Sequence, residues 1–185
     1  MTQAPNGLVL GATRLRPALL EDAAHLVQLR AAASAQGLLS LGAASVEAQR
    51  DWLRAYAQRA ARGLEHYFVI LFNEQIVGAV RIYDIKTAAS EFTWGSWVIQ
   101  AGTPAAVAWS SAILVYDFAF GPLALSRAAF EVVAGNHNVI RFHKIFGATV
   151  SVEADAFVHF SLRRDDYALL RPKFLSRLTD LLVSR

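Results

Sequence analysis

The sequence predicts an α/β (α+β) fold in one domain, residues 1–185, with a mixed central sheet of six to seven strands flanked by helices. Three observations predict it. A chain of 185 residues that is 55% hydrophobic and 18% charged can build one substantial core. Apolar residues recur at helical spacing in two early segments and then alternate with the period of strands. Later, strands 91–100 and 127–134 flank a long helix, which predicts that they lie parallel.

The first half contains a bent strand, two helices with a connecting loop, and a three-stranded meander. In order, these elements are 8–17, 18–35, 36–44, 45–63, 67–72, 75–85 and 91–100. Gly11 predicts the bend, while Ser45 and Gly63 fit the start and the end of the second helix. A short polar turn at Asn73-Glu74 predicts a hairpin between two β-rich runs.

The second half begins with the long helix, which Thr103 is expected to cap and whose first turn Pro104 fits. Segment 104–125 is nearly long and apolar enough for a membrane span, but Asp117 lies inside it. A central Asp costs about 3 kcal/mol to insert, so a helix buried in the core is the better interpretation. The remaining elements are a strand, a short helix, a strand, and a helical segment interrupted by Pro172: 127–134, 136–148, 156–164 and about 165–185.

The composition limits the chemistry. Cysteine is absent, which excludes disulfides and thiol nucleophiles, and no spacing of His, Asp and Glu predicts a metal site. No basic flank leads into an apolar run at the start, so we expect no secretory leader and a cytoplasmic protein. The net charge of +3 comes from scattered Arg residues, which favours an anionic small ligand over nucleic acid. No membrane partner is predicted, and a homodimer is left open.

The start of the long helix is a candidate anion site. Its first residues are small: Ala105, Ala106, Val107 and Ala108. The first amides of a helix have no intrahelical partner, and together with the helix dipole they attract phosphates. Small side chains let a phosphate approach closely. A well-capped core helix without any ligand would have the same sequence pattern, so the assignment needs support from elsewhere in the chain.

The stretch NHNVIRFHKIFGA, residues 136–148, supplies that support. Asn136 opens a short helical pattern that contains His143 and closes at Gly147. Together with three upstream segments, this stretch resembles the GNAT N-acetyltransferases: SWVI, AWSSAILVYDFAF and AAFEVVAGN. The substrate-side helix of that family is similar to SVEAQRDWLRAY, and its central hairpin is similar to VILFNEQIVGAVRIYDI. The resemblance covers roughly residues 12–164. It implies a single GNAT-like domain that uses acetyl-CoA as co-substrate and no metal.

The resemblance also implies which residues bind acetyl-CoA. They lie at the end of strand 91–100, at the start of the long helix and in the last motif: Trp97, Val98, Thr103, Ala105, Ala106, Val107, Ala108, Trp109 and Asn136. The main chain at Trp97 and Val98 would pair with the pantetheine arm. Thr103 replaces the family's usual Arg or Gln, and Ala106 and Ala108 replace its two glycines. A helical backbone there needs no positive φ, so alanine still fits.

Two residues are candidates for proton transfer. His143 takes the place of a Tyr that, in many GNAT members, protonates the departing thiolate, and a general acid helps there. Its imidazole is mostly neutral at neutral pH, so the alternative is a helix residue that touches the ligand without transferring a proton. Glu91, at the start of strand 91–100, is the leading candidate for the base, acting through water. The alternative for Glu91 is a solvated carboxylate at the strand edge.

Two further residues are candidates for contact with the acceptor. Strand alternation predicts two faces, with Phe92, Trp94 and Ser96 on one and Thr93, Gly95 and Trp97 on the other. Trp94 either packs in the core or walls an acceptor pocket, because sugar faces stack on indoles. His159 lies on strand 156–164, where a side chain can face the acceptor cleft.

Within the GNAT family, the chain looks most similar to the branch of ribosomal-protein alanine acetyltransferases and nucleotide-linked amino-sugar acetyltransferases. SVEAQRDWLRAY and WGSWVI favour the amino-sugar group, whose pyrophosphate a basic surface would attract. A protein N-terminus is the alternative acceptor. Because the usual Gly-x-Gly and Tyr are both replaced, a CoA-binding regulatory module with little catalysis stays open as a different class.

Overall fold

The computed structural model describes residues 7–34, 45–154 and 156–183. The strands are β1 (Leu8–Leu10), β2 (Thr13–Pro17), β3 (His66–Phe72), β4 (Gln75–Lys86), β5 (Glu91–Ile99), β6 (Arg127–Val133), β7 (Thr149–Glu153) and β8 (Phe157–Arg163). The α-helices are α1 (Ala23–Ser34), α2 (Val46–Ala61), α3 (Ala105–Phe120), α4 (His137–Ile145) and α5 (Arg164–Val183).

The strands form one mixed sheet in the order β1-β2-β3-β4-β5-β6-β8-β7. Every neighbouring pair is antiparallel except β5 and β6, which confirms the parallel pair predicted from the strand–helix–strand order. Helices α3 and α5 pack on one face, where Ile113 and Phe174 meet side chains such as Phe130. Helices α1 and α2 cover the other face, where Leu26 and Leu53 pack in a second core.

The described residues contain eight strands, slightly more than the six to seven predicted. The predicted strand 8–17 is a hairpin, because Gly11 adopts a φ of +60° and reverses the chain where a bend was expected. Strand β7 was not predicted, and β8 is its one partner among the described strands. Its residues are mostly exposed, so the hydrophobic pattern that marks a buried strand is weak there. The predicted loop 36–44 lies outside the described residues.

The cap predicted for α3 is displaced by one residue. Pro104 is the N-cap, with φ −56° and ψ 140°, and no side chain caps the helix. Thr103 instead belongs to the preceding turn, where its amide donates to the Gln100 carbonyl at 3.2 Å. The proline ring fixes the φ that this entry to the helix requires, so a hydroxyl cap is not needed. In the described part of the chain, α3 and the other helices lack the combination of length and apolarity that crossing a membrane requires.

Helix α5 continues through Pro172, which was expected to interrupt it. Hydrogen bonds from residues near Pro172 hold α5 on α3. Arg171 donates from Nε and Nη2 to the two carboxylate oxygens of Asp117, each at 2.7 Å, and the Tyr167 hydroxyl donates to Asp117 Oδ1 at 2.8 Å. Tertiary contacts therefore outweigh the backbone hydrogen bond that Pro172 cannot make.

We expect Asp117→Ala to lower the free energy of unfolding by about 2 kcal/mol, because Tyr167 and Arg171 lose charge-assisted partners. The partial exposure of Arg171 lets water replace part of that loss. The melting temperature should fall by about 4–8 °C. Asp51→Ala is the control, since its ion pair with Arg54 is exposed and contributes about 0.5 kcal/mol or less. Equal melting temperatures for the two variants would contradict the proposed anchoring of α5.

Candidate active site

The sheet opens between β5 and β6. These strands pair only at Glu91–Arg127 and Phe92–Ala128, and beyond those residues the pairing stops. The amide of Gln100 donates to Val77 of β4 at 2.7 Å. Since main-chain groups alternate in direction along a strand, the amide and carbonyl of Ile99 face away from β4 and into the gap. The gap therefore offers free strand hydrogen bonds to an extended ligand.

A bulge in β5 shapes the side chains at this gap. Between the pairs Ala79–Val98 and Arg81–Gly95, β4 advances by two residues while β5 advances by three. Ser96 adopts a φ of +48° at the extra residue. The bulge brings Trp97 onto the face of Trp94, with ring centroids 5.4 Å apart, so the predicted alternation of these two rings is wrong. The same shift turns Val98 toward α1 and α2.

A cavity of about 620 Å³ lies where the gap meets α1 and the first turns of α3 and α4. Four of the predicted cofactor-binding residues line it: Trp97, Val98, Ala108 and Asn136. Asn136 is the N-cap of α4, as predicted, and its Oδ1 accepts from the Val139 amide at 3.3 Å. Trp97 is oriented by a hydrogen bond from its Nε1 to Ser111 Oγ at 3.3 Å.

The other predicted residues of α3 do not line the cavity. Ala106 and Val107 are buried in the core, Ala105 is exposed, and Trp109 packs against Phe146 with ring centroids 5.1 Å apart. Their side chains therefore do not form the cavity wall, and only the main chain of this first turn lies next to the cavity residue Ala108. The Val107 amide bonds to the Pro104 carbonyl at 2.9 Å, and helix geometry leaves the preceding amides without an intrahelical partner.

His143 lies at the closed end of the gap, on the side of α3. Its ring centroid is 4.5 Å from that of Phe130, 5.2 Å from that of Trp94 and 6.2 Å from that of Trp97. Burial lowers the pKa of His143 to about 3, so the imidazole is uncharged at neutral pH. Its buried Nδ1 has no hydrogen-bond partner in the described residues. His143 does not line the cavity itself and lies behind Trp97, which does.

We expect this neutral histidine to make the fold sensitive to acid. The unfolded chain binds a proton at His143 below pH 6.5 while the folded chain does not, so its contribution is full above pH 6.5 and is lost as the pH falls toward 3. Between pH 6.5 and 5.0 this linkage amounts to about 1.5 kcal/mol. Urea unfolding at both pH values measures this change in the free energy of unfolding. The change should be smaller by about 1.5 kcal/mol in His143→Phe than in the wild-type protein. Identical pH dependence in the two proteins would mean that folding does not lower the pKa of His143.

Glu91 does not lie with the cavity residues. It begins β5, at the opposite end from Trp97 and Val98, and forms ion pairs with Lys86 at 3.0 Å and with Arg127. The hydrogen bond from Lys86 is the main reason that the pKa of Glu91 is lowered. A carboxylate with two cationic partners is a weak proton acceptor, and this position disfavours the predicted role as base.

The two predicted acceptor residues differ in position. Trp94 is only 3% exposed, and its Nε1 donates to the Tyr116 hydroxyl at 3.0 Å. It therefore packs in the core, which is the first of the two alternatives and disfavours a pocket wall. His159 lies partly exposed on β8, on the opposite face of the sheet from α3, with Nδ1 3.8 Å from Glu131 Oε2. It remains accessible to an acceptor.

The sequence did not reveal the contribution of α1. His25, Gln28 and Leu29 line the cavity, opposite the end of β5. They follow the ordinary spacing of a helix that packs on a sheet, so their pattern shows a buried face without showing that it covers a gap.

Comparisons with known proteins agree with this geometry. Residues 13–149 match the family model described as acetyltransferase (GNAT) domain. No curated protein matches the sequence significantly. A solved structure described as apo FdhC, a nucleotide-linked sugar GNAT, is 29% identical with a TM-score of 0.84, covering 91% of this chain and 96% of that chain.

Two further structures share the fold at lower identity. The ribosomal-protein-S5-alanine acetyltransferase from Vibrio fischeri is 14% identical with a TM-score of 0.75, covering 87% of this chain and 98% of that chain. RimJ from Mycobacterium smegmatis, in complex with CoA-disulfide, is 18% identical with a TM-score of 0.73, covering 87% of this chain and 88% of that chain. At these identities the likeness concerns the fold alone.

Proposed function

Since the chain belongs to the acetyltransferase (GNAT) family and is an N-acetyltransferase, we propose that it transfers the acetyl group of acetyl-CoA to the primary amine of a nucleotide-linked amino sugar. The observation that carries the acceptor class is the 29% identity, spread over 91% of the chain, to a structure described as a nucleotide-linked sugar GNAT. The net charge of +3 fits an acceptor that carries a diphosphate.

The residues of the cleft fit acetyl-CoA, which supplies an acetyl thioester when bound. The free main chain of Ile99 can pair with a pantetheine arm as a short extra strand. The amides that open α3 next to Ala108 can bind the pyrophosphate, and Asn136 and Trp97 can contact the arm from either side.

Within this proposal His143 acts as an uncharged group. A neutral imidazole donates from one nitrogen and accepts at the other, so it can hydrogen-bond the reacting end of the ligand without carrying a proton to it. The rings of Trp94, Phe130 and Phe160 exclude water around it. This role differs from the proton delivery first considered for His143, and it follows from the burial that lowers its pKa.

The acceptor class is tested by following thiol release from acetyl-CoA with three amines. These are a nucleoside-diphosphate amino sugar, the same amino sugar without the nucleotide, and a peptide that begins with Ala. We expect kcat/KM for the nucleotide-linked sugar to exceed the other two values at least tenfold. A preference for the peptide would favour the protein N-terminus as acceptor. Tight CoA binding without thiol release for any amine would favour a regulatory module.

A further inference from the structure

The gap between β5 and β6 is closed on the side of α3 and open on the other side. Aromatic rings and His143 fill the α3 side: Trp94, Trp97, Phe130, Phe142 and Phe160. An acceptor can therefore approach a ligand in the gap only from the opposite face of the sheet. Helices α1 and α2 pack over β3, β4 and the end of β5 on that face, so residues of β6 and β8 stay exposed there.

Gly95 and Tyr83 shape the open face of the sheet near the end of the gap where β5 and β6 still pair. A Cβ at Gly95 would lie 3.2 Å from the Tyr83 hydroxyl, so the absence of a side chain lets Tyr83 extend over β5. The guanidinium of Arg81 lies 4.6 Å from the centroid of the Tyr83 ring and holds it in place. Burial raises the pKa of Tyr83, and Asp84 and Glu131 add to that rise while Arg81 opposes it. Tyr83 therefore stays a neutral hydroxyl within electrostatic range of Glu131.

Glu131 lies across the gap from Tyr83, on β6. Gly95 and Glu131 are each four residues beyond the paired residues Glu91 and Arg127, so they lie at the same level of the two parallel strands. Glu131 is 52% exposed, and its Oε2 is 3.8 Å from Nδ1 of His159, its partner in the β6–β8 register. In the described part of the chain, no Lys or Arg forms an ion pair with Glu131, in contrast to Glu91.

We propose that Tyr83, Glu131 and His159 bind the amine of the acceptor over Gly95, and that Glu131 is the group that takes its proton. This inference rests on the proposed acetyl transfer. The acceptor ammonium gives one proton to the Glu131 carboxylate, and the freed nitrogen lone pair forms the C–N bond with the thioester carbonyl carbon. The C–S bond breaks as its electron pair leaves with sulfur. The second proton of the nitrogen passes to the thiolate, and His159 passes the first from Glu131 to solvent.

The position of this group fits the chemistry. Gly95 is two residues before Trp97 on β5, and the bulge at Ser96 keeps it within about 7 Å along the strand of the cavity wall. A carboxylate there attracts a cationic amine, and the Tyr83 hydroxyl and the His159 ring can hydrogen-bond the groups next to it. The 42% exposure of His159 leaves a path for a proton to bulk water. The site thus accepts an amine on a polar substrate such as a sugar.

The test compares Glu131→Gln with Glu153→Gln, a matched change at an exposed carboxylate on β7. Acetyl transfer is measured from pH 6.5 to 9.5 with whichever amine the wild-type protein acetylates best. We expect Glu131→Gln to lower kcat/KM at least tenfold at pH 7 and to approach the wild-type value as the pH nears the pKa of the amine, which then deprotonates without a base. CoA affinity and Glu153→Gln activity should match the wild type. A deficit that is constant with pH, or no deficit, overturns the proposal.

A second readout needs no turnover and separates this inference from the acceptor class. With CoA present, glucosamine should shift the imidazole NMR signals of His159 in the wild-type protein and not in Glu131→Gln. Absence of a shift in the wild-type protein overturns the amine site, even if a nucleotide-linked sugar is acetylated. A shift accompanied by acetylation of the peptide alone supports the amine site and rejects the proposed acceptor class.

Discussion

Ala108→Glu is expected to weaken CoA binding at least a hundredfold, which corresponds to about 2.7 kcal/mol. Ala108 lines the cavity in the first turns of α3, where the side chain leaves room for a ligand. A glutamate there occupies that room and places a negative charge where the amides and the helix dipole would otherwise attract phosphates. The dissociation constant for CoA, measured by calorimetry, checks this expectation.

Ala168→Glu is the matched control for this variant. It makes the same change on α5, at an exposed residue outside the cavity. Its CoA affinity and melting temperature should stay close to the wild-type values. If Ala108→Glu binds CoA as tightly as Ala168→Glu does, the phosphates lie elsewhere and the assignment of the cavity to acetyl-CoA is wrong.

Gly78→Ala is expected to lower the free energy of unfolding by about 3 kcal/mol, the upper part of the range for overpacked sites. A Cβ at Gly78 would lie 2.4 Å from the Val98 carbonyl oxygen and 3.1 Å from Ile70 Cδ1. The first contact is with main chain, so β5 itself has to move away from β4. The expected fall in melting temperature is about 6–12 °C. Because Val98 lines the cavity, CoA affinity should fall in the same variant.

Gly135→Ala should have the opposite sign. No atom would lie within 4 Å of a Cβ at Gly135, and its φ is not positive. Alanine there restricts the unfolded chain and should stabilise the fold by about 0.4–1 kcal/mol. Thermal unfolding of the two variants side by side checks both signs. Equal melting temperatures would show that β4 and β5 can move apart at Gly78 without loss of stability, which would contradict the close packing described there.

The site divides its polar groups between two faces of the sheet. On the side of α3, a neutral His143 sits among aromatic rings, where a charge would cost several kcal/mol. On the other side, Glu131 and His159 are exposed enough to exchange protons with water. Proton transfer is therefore favourable on the open face and unfavourable on the buried one. We therefore expect the base on the open face, near the acceptor, and not in the core.

The helices and most strands follow from local rules that the sequence carries. Ser45 caps α2 through a hydrogen bond to the Ala48 amide at 3.1 Å, and Asn136 caps α4, both as predicted. The polar turn between two β-rich runs identified the hairpin of β3 and β4, and the strand–helix–strand order indicated the parallel pair β5–β6. Where the rules failed, a nearby contact outweighed them, as at Pro172 beside the Asp117–Arg171 ion pair.

The sequence by itself determined the family layout, and four of its predicted cofactor-binding residues line one cavity: Trp97, Val98, Ala108 and Asn136. Only the tertiary structure decided which carboxylate is available and which tryptophan is buried. A one-residue bulge at Ser96 reverses the side-chain alternation that sequence reasoning relies on. Ion pairing depends on residues that are distant in sequence or on neighbouring strands, as for Glu91 with Arg127, and no local pattern records those distances.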